Sequence, residues 1–268
     1  MTKRIAIFGN SHLAAQKFAL RDSPDAWPDI DITFVGAHKS QLLETDITDG
    51  VLRPTSPAAK RTFQSLNGLR EVDLAAFDAV AISGCQITFN LASVLYKDAR
   101  WLGLPSLAAL EDPALMRERL VSVSLFDTCL RREVAKTLGA RFATKIRDAA
   151  PDLPLYVLSQ PRAGERVLLG GKKLSTGHLR IVKKGDGAAL SARFDSVVTD
   201  MLAQTGITFL PQPDHTRAQH ILTAEPFTSE AMRLAREDRH KQPKEDILHA
   251  NAAYGAVTLT QLQTALTA

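Results

Sequence analysis

Residues 3–12 read KRIAIFGNSH, and this stretch indicates how the chain folds. Four consecutive apolar residues, 5–8, are followed at once by Gly9 and by polar residues, and a helical pattern begins at Leu13. A continuous apolar run of this length is typical of a strand that is covered on both faces, as in a parallel sheet. Ser11 is then expected at the carboxyl edge of the sheet, where open α/β folds bind their ligands.

Four further apolar runs resemble the first, and helical patterns lie between them. The runs are residues 30–35, 79–82, 155–158 and 207–210. One helix is predicted from Asp112-Pro113 to Leu138, stopped by Gly139, and another from a cap at Ser191 to Gly206. The alternation predicts one domain over residues 1–268, an α/β three-layer αβα sandwich with a five-stranded, mainly parallel sheet.

Two segments depart from this alternation. Residues 42–72 contain Pro54, Pro57 and Gly68, which indicates irregular or hairpin structure rather than a crossover helix. Residues 162–187 contain Gly170-Gly171 between short apolar runs and carry many basic side chains. This second segment is predicted to be a basic hairpin insertion, whose charges would face either solvent or an anionic substrate.

The composition excludes several classes of protein. A formal net charge of +4 suits an anionic substrate but is too small to indicate nucleic acid as a partner. Two cysteines in 268 residues make no disulfide framework, and His215, His220 and His240 lack the spacing of a metal site. The apolar run 5–8 is too short for a secretion signal and no run is long enough for a membrane span, so a cytoplasmic location is predicted.

The two ends of the chain carry the residues with catalytic chemistry. A serine hydroxyl becomes a strong nucleophile when a histidine, oriented by a carboxylate, removes its proton. Ser11 lies at one end, and Asp246 and His249 lie three residues apart at the other. Each feature has an ordinary alternative, because Ser11 could simply cap a helix and an Asp–His pair is common on helix surfaces.

Together the two ends resemble the SGNH, or GDSL-like, serine hydrolase superfamily. Gly9-Asn10-Ser11 is similar to its first block, with asparagine in place of aspartate, and Gly36 follows the second strand as in its second block. Asp246-x-x-His249, followed by Asn251 and Tyr254-Gly255, is similar to its last block. The third block differs from that of the family. Gly84 is kept, but Gln86 occupies the position where the family has its oxyanion-binding asparagine.

The resemblance implies a flavodoxin-like fold and a role for each matching residue. Ser11 would be the nucleophile, His249 the base and Asp246 the group that orients the base. The oxyanion would be bound by the amides of Ser11 and Gly36 and by the side chain of Gln86 or Asn90. Substrate contacts are predicted for the following residues: His12, Gly84, Arg162 and Arg166.

Three functions follow as alternatives. The first is a cofactor-free esterase or deacylase acting on an oxygen ester of a sugar, glycoconjugate or lipid. The second is an acyltransferase that passes the same acyl group to an acceptor other than water. The third is a binding protein that keeps the fold with weak or no catalysis, which the altered third block favours, since losing one oxyanion donor can cost ~10²–10³ in turnover. The sequence indicates no oligomeric state.

Overall fold

The computed structural model describes residues 2–108, 110, 119–171, 174–236 and 240–267. The strands are β1 Lys3–Gly9, β2 Ile30–Gly36, β3 Thr45–Thr48, β4 Val51–Pro54, β5 Val72–Asp73, β6 Ala79–Ser83, β7 Arg100–Trp101, β8 Leu120–Val121, β9 Leu155–Leu158, β10 Ile207–Leu210, β11 Arg217–Ala218 and β12 Leu222–Thr223. The α-helices are α1 Ala14–Asp22, α2 Pro57–Thr62, α3 Asn90–Asp98, α4 Pro105–Ala108, α5 Val123–Ala135, α6 Leu138–Ala149, α7 Ser175–Lys184, α8 Gly187–Ala203 and α9 Ala252–Thr267.

The five predicted strands form the central sheet, in the order β10-β9-β6-β1-β2. Every neighbouring pair is parallel, with Gly9 opposite both Gly36 and Ser83. Counted along the chain, this is the strand order 2-1-3-4-5 of doubly wound, flavodoxin-like sheets. The predicted α/β sandwich with a parallel five-stranded sheet is therefore confirmed.

Side chains of β1 alternate between two cores. Ile5 and Ile7 pack with leucines of α9, whereas Ala6 and Phe8 belong to a larger core that includes Phe142 of α6 and Phe194 of α8. Helices therefore cover both faces of the sheet, which produces the three layers and explains why residues 5–8 of β1 are all apolar.

Helices α1 and α9 are in unusually close contact. A Cβ atom at Gly255 would lie 2.0 Å from the carbonyl oxygen of Ala15, so glycine alone fits at this crossing. One turn further along α9, Thr258 accepts a 3.1 Å hydrogen bond from the side-chain amide of Gln16. Because α1 follows Ser11 and α9 follows His249, this contact joins the two ends of the chain that carry the candidate catalytic residues.

The basic hairpin predicted over residues 162–187 is wrong. Residues 165–169 form a short 3₁₀ helix and residues 175–184 form α7, while residues 172–173 lie outside the described part. Gly177, His178 and Ile181 are buried on one face of α7, a helical spacing that the glycines of this segment obscured. Gly185 adopts the left-handed conformation (φ 73°) and ends the helix.

Two predicted helix boundaries are also corrected. The start at Asp112-Pro113 lies outside the described residues, and the helix after β8 ends at Ala135 rather than Leu138. Thr137 caps a new helix, α6, by accepting from the amide of Ala140, and Gly139 lies inside that helix. A Cβ at Gly139 would lie 3.0 Å from the carbonyl oxygen of Cys85, so this glycine serves packing rather than termination. Helix α8 begins at Gly187, four residues before the predicted cap Ser191.

Residues 42–72 contain the predicted hairpin together with short helices. Strands β3 and β4 pair antiparallel, and β5 adds to β4 as a small separate sheet. A π-helical turn over residues 63–67 follows α2 and ends at Gly68, whose φ is 72°. This turn places Asn67 beside Gly36 at the end of β2. Within the described ranges, no helix combines the length and hydropathy needed to cross a membrane.

Candidate active site

The turn after β1 places Ser11 at the carboxyl edge of the sheet. Asn10 caps the turn, because its side-chain oxygen accepts a 3.2 Å hydrogen bond from the amide of His12. A Cβ at Gly9 would lie 2.9 Å from the carbonyl oxygen of Ser83, so the turn requires glycine there. Residues 11–13 form a 3₁₀ turn that runs into α1. The Ser11 amide thus lies at a helical N-terminus, where backbone N–H groups have no intrahelical acceptor.

A continuous chain of hydrogen bonds joins Ser11, His249 and Asp246. The Ser11 Oγ atom lies 2.9 Å from His249 Nε2, and His249 Nδ1 lies 2.5 Å from Asp246 Oδ2. An ionised carboxylate only accepts, so His249 Nδ1 donates to Asp246 and Nε2 is left to accept from the Ser11 hydroxyl. The structure thus brings together the three residues that were expected to act together.

The backbone around Asp246 holds its carboxylate in place. Its Oδ1 atom accepts hydrogen bonds from the amides of Leu248 (2.6 Å) and His249 (3.0 Å). Burial alone would raise the pKa of Asp246, but the hydrogen bonds from the His249 ring and from these amides lower it to about 2. Asp246 is therefore ionised throughout the pH range in which the protein is expected to work.

His12 packs directly against His249. Their rings are stacked, with centroids 4.7 Å apart and planes 19° from parallel. His12 is buried, with 8% of the residue exposed, and Gly84 and Asn10 also lie next to it. Burial, and then the nearby His249, lower the pKa of His12 to about 3, against the opposing effect of Asp246. His12 is therefore a neutral imidazole beside the nucleophile.

The amide of Gly36 already has an acceptor. It donates a 2.8 Å hydrogen bond to Asn67 Oδ1, and Asn67 Nδ2 donates at 2.9 Å to the carbonyl oxygen of Gly36. Leu66 and Leu234 fill the space next to the Gly36 Cα atom. Sequence reasoning missed Asn67, since an asparagine before a glycine usually marks no more than a turn. The oxyanion role expected for Gly36 would require Asn67 to rotate away.

In the third block, the side chain of Gln86 forms a hydrogen bond with the start of α6. Gly84, Cys85 and Gln86 all have left-handed backbone conformations, with φ of 76°, 54° and 74°. The Gln86 side-chain oxygen accepts from the amide of Leu138 at the start of α6. Gln86 also lines a cavity of about 300–400 Å³ beside α5 and α6, together with Thr88, Leu91, Glu133, Lys136, Thr137 and Gln160. None of these residues belongs to the Ser11–His249–Asp246 chain, and Gln86 accepts rather than donates in its bond with Leu138, so its oxyanion role stays a prediction.

The two remaining candidates of the third block are Asn90, the alternative oxyanion donor, and Gly84. Asn90 is the first residue of α3, and its Oδ1 atom is buried without a hydrogen-bonding partner in the described ranges. Among the described residues, the hydrogen bond of the Ser11 hydroxyl is with His249 and not with Asn90. Gly84 contacts His12, because a Cβ there would lie 2.9 Å from the His12 Cβ. Gly84 therefore supports the His12 ring.

Arg162 is buried and takes part in an ion-pair network, which corrects its expected contact with substrate. Its side chain is 1% exposed, and its NH2 group donates to both carboxylate oxygens of Asp195 at 3.0 and 3.1 Å. Arg217 also pairs with Asp195, and the Arg162 guanidinium lies 4.9 Å from the centre of the Phe89 ring. Burial lowers the pKa of Arg162 to about 10, so the group stays charged and depends on Asp195.

Arg162→Ala is expected to lower the free energy of unfolding by about 3 kcal/mol, because removing one member of a buried pair leaves the other charge poorly compensated. The retained pairing of Arg217 with Asp195 places this value at the lower end of the usual range. Arg166→Ala is the matched control, since Arg166 is exposed and its loss should cost no more than about 0.5 kcal/mol. Urea denaturation measures both, and equal losses would contradict the structural role.

Arg166 remains available for a ligand. It lines a cavity of about 300 Å³ that also includes Asp246, Lys244, Glu225 and Thr228. The cavity lies on the carboxylate side of the Ser11–His249–Asp246 chain, because Asp246 is the member of that chain that lines it. Among the described residues, no group of three or more histidine, cysteine, aspartate or glutamate side chains is placed to hold a metal ion.

No family model and no curated protein matches the chain. Solved structures with a similar fold include phospholipase A1 from Streptomyces albidoflavus NA297, which is 14% identical with a TM-score of 0.39, the match covering 98% of this chain and 100% of that one. Another is the periplasmic domain of a lipopolysaccharide acetyltransferase from Salmonella ser. Paratyphi A. It is 11% identical with a TM-score of 0.41, and the match covers 100% of this chain and 85% of that one. Both similarities are distant.

Proposed function

We propose that this protein is a serine hydrolase that cleaves oxygen esters, with Ser11 as its nucleophile. The observation that carries the proposal is the chain of hydrogen bonds from Asp246 through His249 to the Ser11 hydroxyl, at 2.5 and 2.9 Å. A serine used only as a helix cap would need neither partner, and in this turn Asn10 is the capping residue.

The geometry supports a two-step reaction. Ser11 Oγ attacks the ester carbonyl carbon while its proton passes to His249 Nε2, and Asp246 stabilises the resulting imidazolium. When the tetrahedral intermediate collapses, the carbon–oxygen bond to the alcohol breaks and His249 returns the proton to the leaving alcohol. Water then attacks the acyl-enzyme with His249 as base, which releases the carboxylic acid and restores Ser11.

The substrate class is proposed from the surroundings of the site. Arg166 and Lys244 line the cavity beside Asp246 together with Glu225 and Glu230, so its charges are mixed. We propose an acylated sugar or glycoconjugate, whose hydroxyl and charged groups such a lining can bind. No metal or organic cofactor is needed for this chemistry. The cytoplasmic location and the single-domain organisation stay predictions from the sequence.

A second candidate is a binding protein with little or no catalysis. It is favoured by one observation, which is that the Gly36 amide, an expected oxyanion donor, already donates to Asn67. Such a protein would keep the Ser11–His249 contact but would leave the developing negative charge of the intermediate poorly stabilised.

A fluorophosphonate probe and a short-chain p-nitrophenyl ester test the proposal. We expect the unaltered protein to be labelled and to hydrolyse the ester, and Ser11→Ala and His249→Ala to lose both activities. Ser40→Ala and His38→Ala are matched controls, because these exposed residues take no part in the site, and both should behave as the unaltered protein.

Each alternative outcome has a distinct meaning. Labelling without turnover, followed by acyl transfer to an added alcohol, would replace the hydrolase with an acyltransferase. A folded protein that is neither labelled nor active would contradict the proposal and favour the binding protein.

A further inference from the structure

Among the described residues, the turn around Ser11 leaves few backbone donors for the oxyanion of the proposed reaction. The Gly36 amide, which was expected to serve, is bonded to Asn67, and the amide of His12 next to Ser11 is bonded to the side chain of Asn10. The Gln86 side chain is directed to α6 by its bond to Leu138. The Ser11 amide, at the start of its helical turn, is one donor in position. One donor alone gives limited stabilisation to an oxyanion that carries a full negative charge.

An unassigned polar ring lies beside the nucleophile. His12 is adjacent to Ser11 in the chain, and its ring is stacked on the ring of His249, whose Nε2 atom contacts Ser11 Oγ. Gly84 also lies against this ring, since a Cβ there would be 2.9 Å from the Cβ and 3.3 Å from the Cδ2 atom of His12.

The two nitrogens of His12 have different surroundings. Nδ1 is buried and has no hydrogen-bonding partner in the described part of the chain, whereas Nε2 is not sequestered in this way. A buried N–H without an acceptor costs more than a buried lone pair without a donor, so the proton of the neutral ring belongs on Nε2. The buried Nδ1 also shows that stacking alone does not account for this residue. A phenylalanine ring would stack on His249 without burying an unsatisfied nitrogen.

We propose that the Nε2–H group of His12 donates a hydrogen bond to the oxyanion, and so joins the Ser11 amide in stabilising the tetrahedral intermediate. This inference rests on the proposed ester hydrolysis. No proton is transferred in this interaction, because His12 donates a hydrogen bond and stays neutral while His249 carries the proton of Ser11. A neutral donor is suited to this place, since a second imidazolium would repel the charge that forms on His249.

Three variants separate the donor role from the stacking role. His12→Phe keeps an aromatic ring without an N–H, His12→Gln keeps a side-chain N–H without a ring, and His12→Ala removes both. We expect His12→Phe and His12→Ala to lower kcat by ~10²–10³ with little change in KM, and His12→Gln to recover part of kcat. Exposed His38→Phe is the control and should leave kcat unchanged. Thermal unfolding verifies that each variant is folded.

A second measurement does not depend on activity. Long-range proton–nitrogen NMR spectra of the unaltered protein report which ring nitrogen of His12 carries the proton, and we expect Nε2 near neutral pH. A proton on Nδ1, or a folded His12→Phe variant with full kcat, would overturn the donor role and leave the proposed hydrolase standing. A protein that fluorophosphonate does not label would overturn both.

Discussion

Asp246→Asn is expected to hydrolyse a short-chain ester about 10⁴-fold more slowly than the unaltered protein while remaining folded. Asparagine can still accept from the amides of Leu248 and His249 through its oxygen, so the local backbone has little reason to change. Its NH₂ group would then face His249 Nδ1 and can only donate to it. The ring must therefore carry its proton on Nε2, and in that tautomer it cannot accept the proton of Ser11.

The kinetic assay for Asp246→Asn has a matched control in the preceding residue. Glu245→Gln makes the same acid-to-amide change on an exposed side chain and should hydrolyse the ester at the normal rate. If Asp246→Asn kept more than a tenth of the activity, the orientation of His249 by a carboxylate would not matter to the reaction. In that case the short contact between Asp246 and His249 would be structural.

Gly255→Ala is expected to destabilise the protein more than most single substitutions do. The added methyl group would lie 2.0 Å from the carbonyl oxygen and 2.2 Å from the carbonyl carbon of Ala15, both of which are backbone atoms that cannot rotate away. The helices α1 and α9 must separate, and we expect a loss above the ~1–3 kcal/mol that is typical of an overpacked core. Because these helices continue from Ser11 and His249, ester hydrolysis should fall with the stability.

Urea denaturation and ester hydrolysis measured on the same sample check this prediction for Gly255→Ala. Gly164→Ala is the matched control, because its backbone has an ordinary φ of −66° and the added methyl would meet only the side chain of Thr228, at 3.3 Å. A Gly255→Ala protein as stable and active as Gly164→Ala would show that the two helices can move apart without disturbing the site.

The strands of the sheet could be predicted from the sequence, and one helical segment could not. Most strands of the sheet are continuous apolar runs because both of their faces are covered, and this pattern is visible without knowledge of the partners. The segment 162–187 was wrongly predicted to be a hairpin because Gly170 and Gly171 suggested a turn between two strands. In the structure they follow a 3₁₀ helix, and the buried face of α7 comes from small and polar residues, Gly177 and His178 among them.

The site was predictable where it depends on spacing along the chain. Asp246 and His249 are three residues apart, and a single turn brings their side chains together. The partners of Gly36 and Gln86 were not predictable, because Asn67 comes from the extra hairpin region and Leu138 from the start of a helix whose cap is Thr137. Contacts of this kind depend on how separate elements pack, which no local pattern records.

The hydrogen bond between Ser11 and His249 joins residues that are 238 positions apart. During synthesis Ser11 therefore leaves the ribosome well before its base, since 238 positions separate the two residues. A partly made chain that still lacks His249 therefore carries an unactivated hydroxyl, which is a weak nucleophile and reacts poorly with esters. Under the proposed function, reactivity begins only when the segment carrying His249 has been made and has folded onto the sheet edge.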